Sequence, residues 1–307
     1  MDLAPIAFFA YKRPQHTLKA LKSLSKCDLA DQSKLYIFCD GAKCLEDQEL
    51  VQQVREVVRN HKWCGEVEIV AHQINMGLAN SIVTGITKLC QSFGRVIVLE
   101  DDLLLSSNFL RYMNAALEKY KHVEQVMQIS GYMFPVKLNF STDAIFLPFI
   151  TSWGWATWQR AWKHFDPQMS EYSRLKTDRA LRYKFDLNSS YPYFKMLEAQ
   201  IKGKVDSWAI RWYLSTFMQE GLTLYPVHSL VKNIGFDGSG TNCNAASHFD
   251  LELSEEEVIY LPELVIENAS ATDAISKYLY ALQSPRELIL AKILSIIDKI
   301  KNIFARG

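Results

Sequence analysis

Residues 96–110 read VIVLEDDLLLSSNFL, from Val96 to Leu110. Four apolar residues run into Glu100, Asp101 and Asp102, and Leu103 to Leu105 resume the apolar character at once. Two readings of the acidic triplet compete. Acids at a strand-to-helix junction favour the dipole of the following helix and solubilise a loop. Alternatively they face a crevice and hold a cation, as Mg²⁺ and Mn²⁺ are held by one or two carboxylates together with a substrate's phosphates. Three adjacent carboxylates hard against a buried strand are costly unless paired or metal-bound, which favours the second reading.

The run 95–101 (RVIVLED) belongs to a series with PIAFFAY (5–11), KLYIFCD (34–40), EVEIVAH (66–72) and VMQISGY (126–132). Their near-continuous apolar character marks strands covered on both faces, as in a parallel sheet. Helix-like stretches lie between them. Pro14 suits the start of the first, in which Leu18, Leu21 and Leu24 share a face. Residues 46–60 read as a second helix with Leu50, Val54, Val57 and Val58 inward, and 78–92 as a third. Residues 107–121 read as a fourth, with Ser106 or Ser107 as its N-cap. This alternation predicts an α/β fold with a doubly wound sheet. The strands end in Tyr11-Lys12-Arg13, Asp40-Gly41, the stretch Gln73 to Gly77, Glu100 to Asp102, and Ser130-Gly131. In an open parallel sheet these ends lie along one edge, where ligands bind.

The chain has 307 residues, is 49% hydrophobic, and carries 34 basic against 34 acidic residues. That suffices for a large core in one domain or two packed lobes. A formal charge of zero argues against a nucleic-acid partner. The cysteines at 27, 39, 44, 64, 90 and 243 form no CxxC pair, which predicts reduced thiols and a cytoplasmic location. The first residues lack the basic start and apolar core of a signal peptide, and no run reaches the roughly 18 apolar residues of a membrane span. The turn after the first strand, AYKRPQH, has no GxGxxG, and no GxxxxGK[ST] occurs. A nucleotide would therefore depend on a carboxylate-held cation rather than a glycine-rich phosphate cradle.

Six features occur in order. They are Arg13 after the first strand, Asp40 ending the second, Glu100 to Leu103 ending the fourth, SWGWATW (152–158), VDSW (205–208), and NIGFDGSGTNC (233–243). The set resembles the GT-A glycosyltransferases, most closely the inverting β-N-acetylglucosaminyltransferase I type and its bacterial relatives, from about residue 4 to about 250. The resemblance implies a GT-A-like, Rossmann-type, mostly parallel sheet flanked by helices, with an acceptor-side subregion and a C-terminal helix. It divides the chain into a nucleotide-sugar-binding region (1–135), an acceptor and catalytic region (136–265) and a C-terminal helical segment (266–307). The implied activity is metal-dependent, inverting transfer of a sugar onto a hydroxyl of a glycan or glycolipid. N-acetylglucosamine from a UDP-sugar donor is the leading expectation, with Mn²⁺ or Mg²⁺ as cofactor. By position, Arg13 and Asp40 would hold the nucleotide, Asp40 at the base. Glu100 would contact the donor sugar, Asp101 the ribose and Asp102 the metal, and Asp206 would be the catalytic base. Relatives carry a His near the end of the glycine-rich stretch, where this chain has Asn242; His228 and His248 lie nearby. A sugar nucleotidyltransferase and a non-enzymatic sugar-binding or scaffold protein are the rival readings.

Four segments keep two readings each. Without the VDSW match, Asp206 is a surface acid paired with Arg211 or Lys204. Trp155, Trp158 and Trp162 recur at helical steps and read as core on one helix face. Trp153 and Trp155 also flank Gly154, where backbone can approach a ligand, and stacking of a sugar on one of them is the other reading. Residues 233–249, with Gly235, Gly238 and Gly240, read as a solvent loop or as a lid that excludes water. In 285–307 the residues Ile289, Ile293, Ile296, Ile297, Ile300, Ile303 and Phe304 share a helical face, with five basic residues against two acids. Such a segment lies on an anionic surface, here the inner face of the cytoplasmic membrane, or docks on the protein or a second copy.

Overall fold

The computed structural model describes residues 2–137, 142–237 and 252–283. The five apolar runs form strands within it. In chain order the elements begin β1 (Ile6–Ala10), α1 (Pro14–Leu24), β2 (Lys34–Cys39), α2 (Gln48–Arg59), β3 (Glu66–Ala71), α3 (Leu78–Phe93) and β4 (Arg95–Glu100). They continue with β5 (Leu103–Leu105), α4 (Phe109–Lys119), β6 (Val126–Ser130), β7 (Ala144–Leu147), β8 (Trp155–Trp158) and α5 (Gln159–Trp162). The rest are α6 (Tyr172–Thr177), α7 (Arg179–Phe185), α8 (Tyr193–Ile201), α9 (Trp208–Met218), β9 (Leu222–Pro226), β10 (Val231–Asn233) and α10 (Ala269–Leu282).

Eight strands form one sheet in the order β3-β2-β1-β4-β8-β6-β9-β7. The pairs β3·β2, β2·β1, β1·β4 and β6·β9 are parallel. β8 runs antiparallel to both β4 and β6, and β7 antiparallel to β9. The architecture is therefore α/β with a mostly parallel sheet. β1, β4 and β6 are buried almost throughout, whereas β3 is partly exposed because it is an edge strand. One buried apolar cluster extends from Ala4 to Leu279 and draws on strands from both sides of residue 135.

Several local expectations are corrected. α2 turns Val54, Val57 and Val58 inward as expected, but Leu50 is exposed and Val51 is buried in its place, because Val51 stands seven residues before Val58 and nearer the middle of the stripe. The residue before α4 is Asn108, without a side-chain cap. The Ser106 and Ser107 hydroxyls instead bond Glu255 at 3.3 and 2.6 Å. Trp155 and Trp158 lie on β8, not on a helix face; only Trp162 lies on a helical turn. A four-residue strand leading straight into a helical turn mimics helical spacing. β8 also separates β6 from β4 in the sheet, an order on which the sequence pattern is silent. Cys27, Cys39, Cys64 and Cys90 are buried thiols and Cys44 an exposed one. Among the described residues no helix is long and apolar enough to cross a membrane. The segment 285–307 lies outside them.

Candidate functional site

The chain leaves β1 toward β2 and β3 on one side and returns with β4 on the other. That reversal makes a crevice at the carboxyl ends of β1 and β4, the place where open α/β sheets bind ligands. Arg13 follows β1, Glu100 ends β4 and Asp101 and Asp102 come directly after it, so the topology brings both to this crevice. The Arg13 Nη2 bonds the Asp101 carboxylate and reaches Asp102 Oδ2 at 2.9 Å. Asp101 Oδ2 also accepts from the Tyr11 amide at 3.4 Å. Asp101 and Asp102 are both buried. Among the described residues the second oxygen of Asp102 has no hydrogen-bond partner.

Acids outnumber the cation in the crevice: Asp101 and Asp102 share Arg13, and Glu100 lies within electrostatic reach of all three. Burial, then Asp102 and Asp101, push Glu100 from its ordinary 4.5 up to about 8, although Arg13 opposes the shift. Burial also raises Asp101 against the pull of Arg13. Burial disfavours the charge on Arg13, but Asp101 and Asp102 outweigh it and raise its pKa. A divalent cation fits this surplus of negative charge and these hard oxygen donors. Among the described residues no group of three or more His, Cys, Asp or Glu could enclose a metal by itself. Ligands from a bound diphosphate would have to complete the shell.

The raised Glu100 has a consequence for stability. Its folded-state pKa exceeds the unfolded value, so between pH 4.5 and about 8 the unfolded chain holds fewer protons, and stability falls as pH rises through that window. Glu100→Gln is expected to match the wild type below pH 4.5 and to exceed it by on the order of 2 kcal/mol above pH 8, after allowance for partial solvation. Urea melts across pH check this; parallel wild-type and variant curves would remove the assignment.

Asp40 has a different part. Its Oδ1 accepts from the Gly41 and Met76 amides at 2.9 and 2.7 Å, and its Oδ2 from Asn75 Nδ2 and the Gly77 amide, both at 3.0 Å. A carboxylate has about four acceptor positions, so Asp40 is used internally to shape the loop 73–77. A Cβ on Gly41 would run into the Ile74 carbonyl, so the two loops touch backbone to backbone. Sequence reasoning set Tyr11 and the stretch with Asn75 on the sheet edge without a role for either, and passed over Asp47. Asp47 Oδ2 accepts from the Tyr11 hydroxyl at 2.6 Å and Oδ1 from Lys12 at 2.7 Å. The available signal was position: Asp47 sits just before a helix, opposite Tyr11 and Lys12 at the end of β1.

The second sheet brings the glycine-rich stretch to the acids. β10 pairs antiparallel with β5, Asn233 opposite Leu103, and the Ile234 amide donates to the Asp102 carbonyl at 2.8 Å. Gly235 then lies against the site, where a Cβ would collide with Asp102 Oδ2 and stand 3.1 Å from Arg13 Nη1. Trp153 contacts Tyr132 and Phe236 edge-on, with centroids 4.5 and 5.5 Å apart, beside Gly235. Trp155 is fully buried, against Trp208 at 5.2 Å and near Trp162 and Trp212. It has no ring face for a sugar, because β8 is an interior strand; of the two tryptophans offered for stacking, the structure retains Trp153.

Asp206 lies in the turn before α9, is exposed, and pairs with Arg211 at 2.8 Å. Trp208, two residues on, stacks on Trp155, which stands opposite Val98 of β4. His228 is exposed and stands 3.5 Å from Glu256. Gly238, Gly240, Asn242, His248 and most of 233–249 lie outside the described residues, as does any lid they form.

No family model matches the chain, and no curated protein matches it. Similar solved structures include the mannosyltransferase PcManGT from Pyrobaculum calidifontis in complex with GDP-Man and Mn²⁺ (10% identity, TM-score 0.38, 100% of this chain and 91% of that one). Mouse xyloside xylosyltransferase 1 in its apo form is another (12%, TM-score 0.38, 71% and 82%). S. aureus TarS 1–349 in complex with UDP-GlcNAc is a third (12%, TM-score 0.34, 48% and 40%), so the match spans less than half of that chain. Likenesses of this size carry no activity from one protein to another.

Proposed function

We propose that the chain is a metal-dependent, inverting glycosyltransferase that moves a sugar from a nucleotide donor to a hydroxyl of a glycan or glycolipid. The observation that carries the reading is the crevice between β1 and β4, where Asp101 and Asp102 share the Arg13 guanidinium with Glu100 close by. The ordered motif set supports it, and N-acetylglucosamine from UDP is the donor that this resemblance favours. Asp102, with Mn²⁺ or Mg²⁺ bound, would supply Lewis-acid stabilisation of the leaving diphosphate. Arg13 fixes Asp101 and Asp102 and places positive charge beside that leaving group. Asp40 acts on the base side through the loop 73–77, Asp101 faces the ribose, and Glu100 holds a donor-sugar hydroxyl. Asp206 takes the acceptor's proton as its oxygen attacks the anomeric carbon opposite the diphosphate, and the carbon–oxygen bond to the diphosphate breaks. Trp153, beside Gly235, offers an aromatic wall to the sugar.

Asp206→Asn should lower turnover by roughly 10²- to 10⁴-fold, the usual contribution of a general base, with donor affinity near wild type. Single-turnover transfer and donor titration separate the two, and an Asn variant with normal turnover would remove Asp206 from this role. The whole reading is tested by screening nucleotide sugars for Mn²⁺-dependent hydrolysis and thermal stabilisation. It fails if none gives a response.

A further inference from the structure

The chain between β10 and α10 leaves an apolar strip facing outward. Val258, Leu261 and Val265 pack on the core, while Ile259, Tyr260, Leu264 and Ile266 are 63%, 71%, 73% and 66% exposed. The backbone under the strip is fixed. Asp143 Oδ2 accepts from the Ile259 and Tyr260 amides at 2.9 and 2.8 Å, and the Tyr120 hydroxyl donates to the Pro262 carbonyl at 2.7 Å. Four large apolar side chains stand exposed within eight residues of an anchored segment, a local density of exposed apolar surface that ordinarily marks a docking site.

The surroundings of the strip select its occupant. Residues 252–268 contain six glutamates and no Lys or Arg. Arg111 pairs with Glu257 as well as Asp28, Lys119 with Glu263, and His228 stands 3.5 Å from Glu256, which leaves the segment's own charge strongly acidic. This surface would be repelled by an anionic membrane, and it complements a basic amphipathic partner. The chain carries one: 285–307 has five basic residues against two acids and an isoleucine-rich face. The reach also suits. α10 begins directly after the strip and spans 14 residues, about 21 Å. Residues 285–307, returning as a helix of about 35 Å, would run back past the start of α10.

We propose that 285–307 docks on the strip of its own chain, its isoleucines covering Ile259, Tyr260, Leu264 and Ile266 and its lysines facing the glutamates. This inference is independent of the chemistry at the acidic crevice. The test is zero-length carbodiimide coupling of the full chain at low concentration, followed by peptide mapping. The expected product is a monomer in which Lys292, Lys299 or Lys301 is joined to a glutamate of 255–267. The double substitution Leu264→Asp and Ile266→Asp changes only side chains already exposed, so the fold is kept, and it should cut this product at least tenfold. The same variant should bind phosphatidylglycerol vesicles more strongly than wild type, since the basic segment is released. Absence of the product, an unchanged yield in the variant, coupling confined to covalent dimers, or equal vesicle binding by the two proteins would each overturn the proposal. The last two outcomes would assign the segment to a second copy or to a lipid surface.

Discussion

Replacing Asp102 by Asn is expected to lower metal-dependent donor turnover about a thousandfold. A cation held at a leaving diphosphate supplies several kcal/mol of transition-state stabilisation, and each 1.36 kcal/mol or so is a factor of ten. Asn keeps the size of the side chain and an acceptor for Arg13, so the crevice keeps its shape while the charge that holds a cation is gone. The loss should therefore appear in the metal response. Mn²⁺ should tighten nucleotide binding to the wild type and leave the variant unaffected, as read by calorimetric titration with and without the ion. Equal metal responses in the two proteins would rule out Asp102 as the ligand. A fall in metal-free binding of equal size would instead indicate collapse of the crevice.

The second large effect belongs to Arg13 and falls on stability. Arg13→Met leaves Glu100, Asp101 and Asp102 without their cation. Removing one partner from a buried ionic group costs about 3–5 kcal/mol, because the charges left behind are neither solvated nor paired. Carboxylates relieve that cost by taking up protons, so the deficit should be smaller at pH 5 than at pH 8. Urea unfolding at both pH values measures it. A divalent cation should recover part of the loss at pH 8, since it replaces the missing positive charge. Arg13→Lys should fall between the two: it keeps the charge, but a single ammonium is a poorer bridge than the guanidinium that reaches both Asp101 and Asp102. A deficit that does not change with pH would show that Arg13 acts through packing.

Much of the first half was legible because its strands are covered on both faces. Continuous apolar runs such as IAFFA and RVIVLE leave little else to fold into, and a chain that alternates them with helices forms a parallel sheet. The polar ends of those runs then fall on one edge, which placed Arg13 beside Asp101 and Asp102 before any geometry was known. Legibility ended where pairing, not pattern, decides. Nothing local in WATW says that it enters the sheet between β4 and β6, because β8 is only four residues long and its tryptophans have helical spacing. Asp40 was legible as a strand-end acid, but its full set of internal donors was not, since Asn75 and the amides of 76 and 77 reach it from a distant loop. α2 followed the helical period at Val54, Val57 and Val58 and differed at its first inward position, Val51 in place of Leu50. Amphipathic spacing alone leaves the edge of such a stripe loose.

The position of β8 has a consequence for the order in which the molecule is made. β1 to β4 are complete once about a hundred residues have emerged, yet the outer edge of β4 then has no partner. That partner follows about 55 residues later, several seconds at ordinary rates of synthesis. During the interval β4 presents unpaired amides and carbonyls on an apolar strand, the kind of edge that recruits other strands. β6 emerges first and runs in the same direction as β4, so it can occupy the place reserved for β8. The tryptophan-rich segment is thus a late wedge in biosynthesis, and the half of the sheet that carries the acids remains open to mispairing until it is inserted.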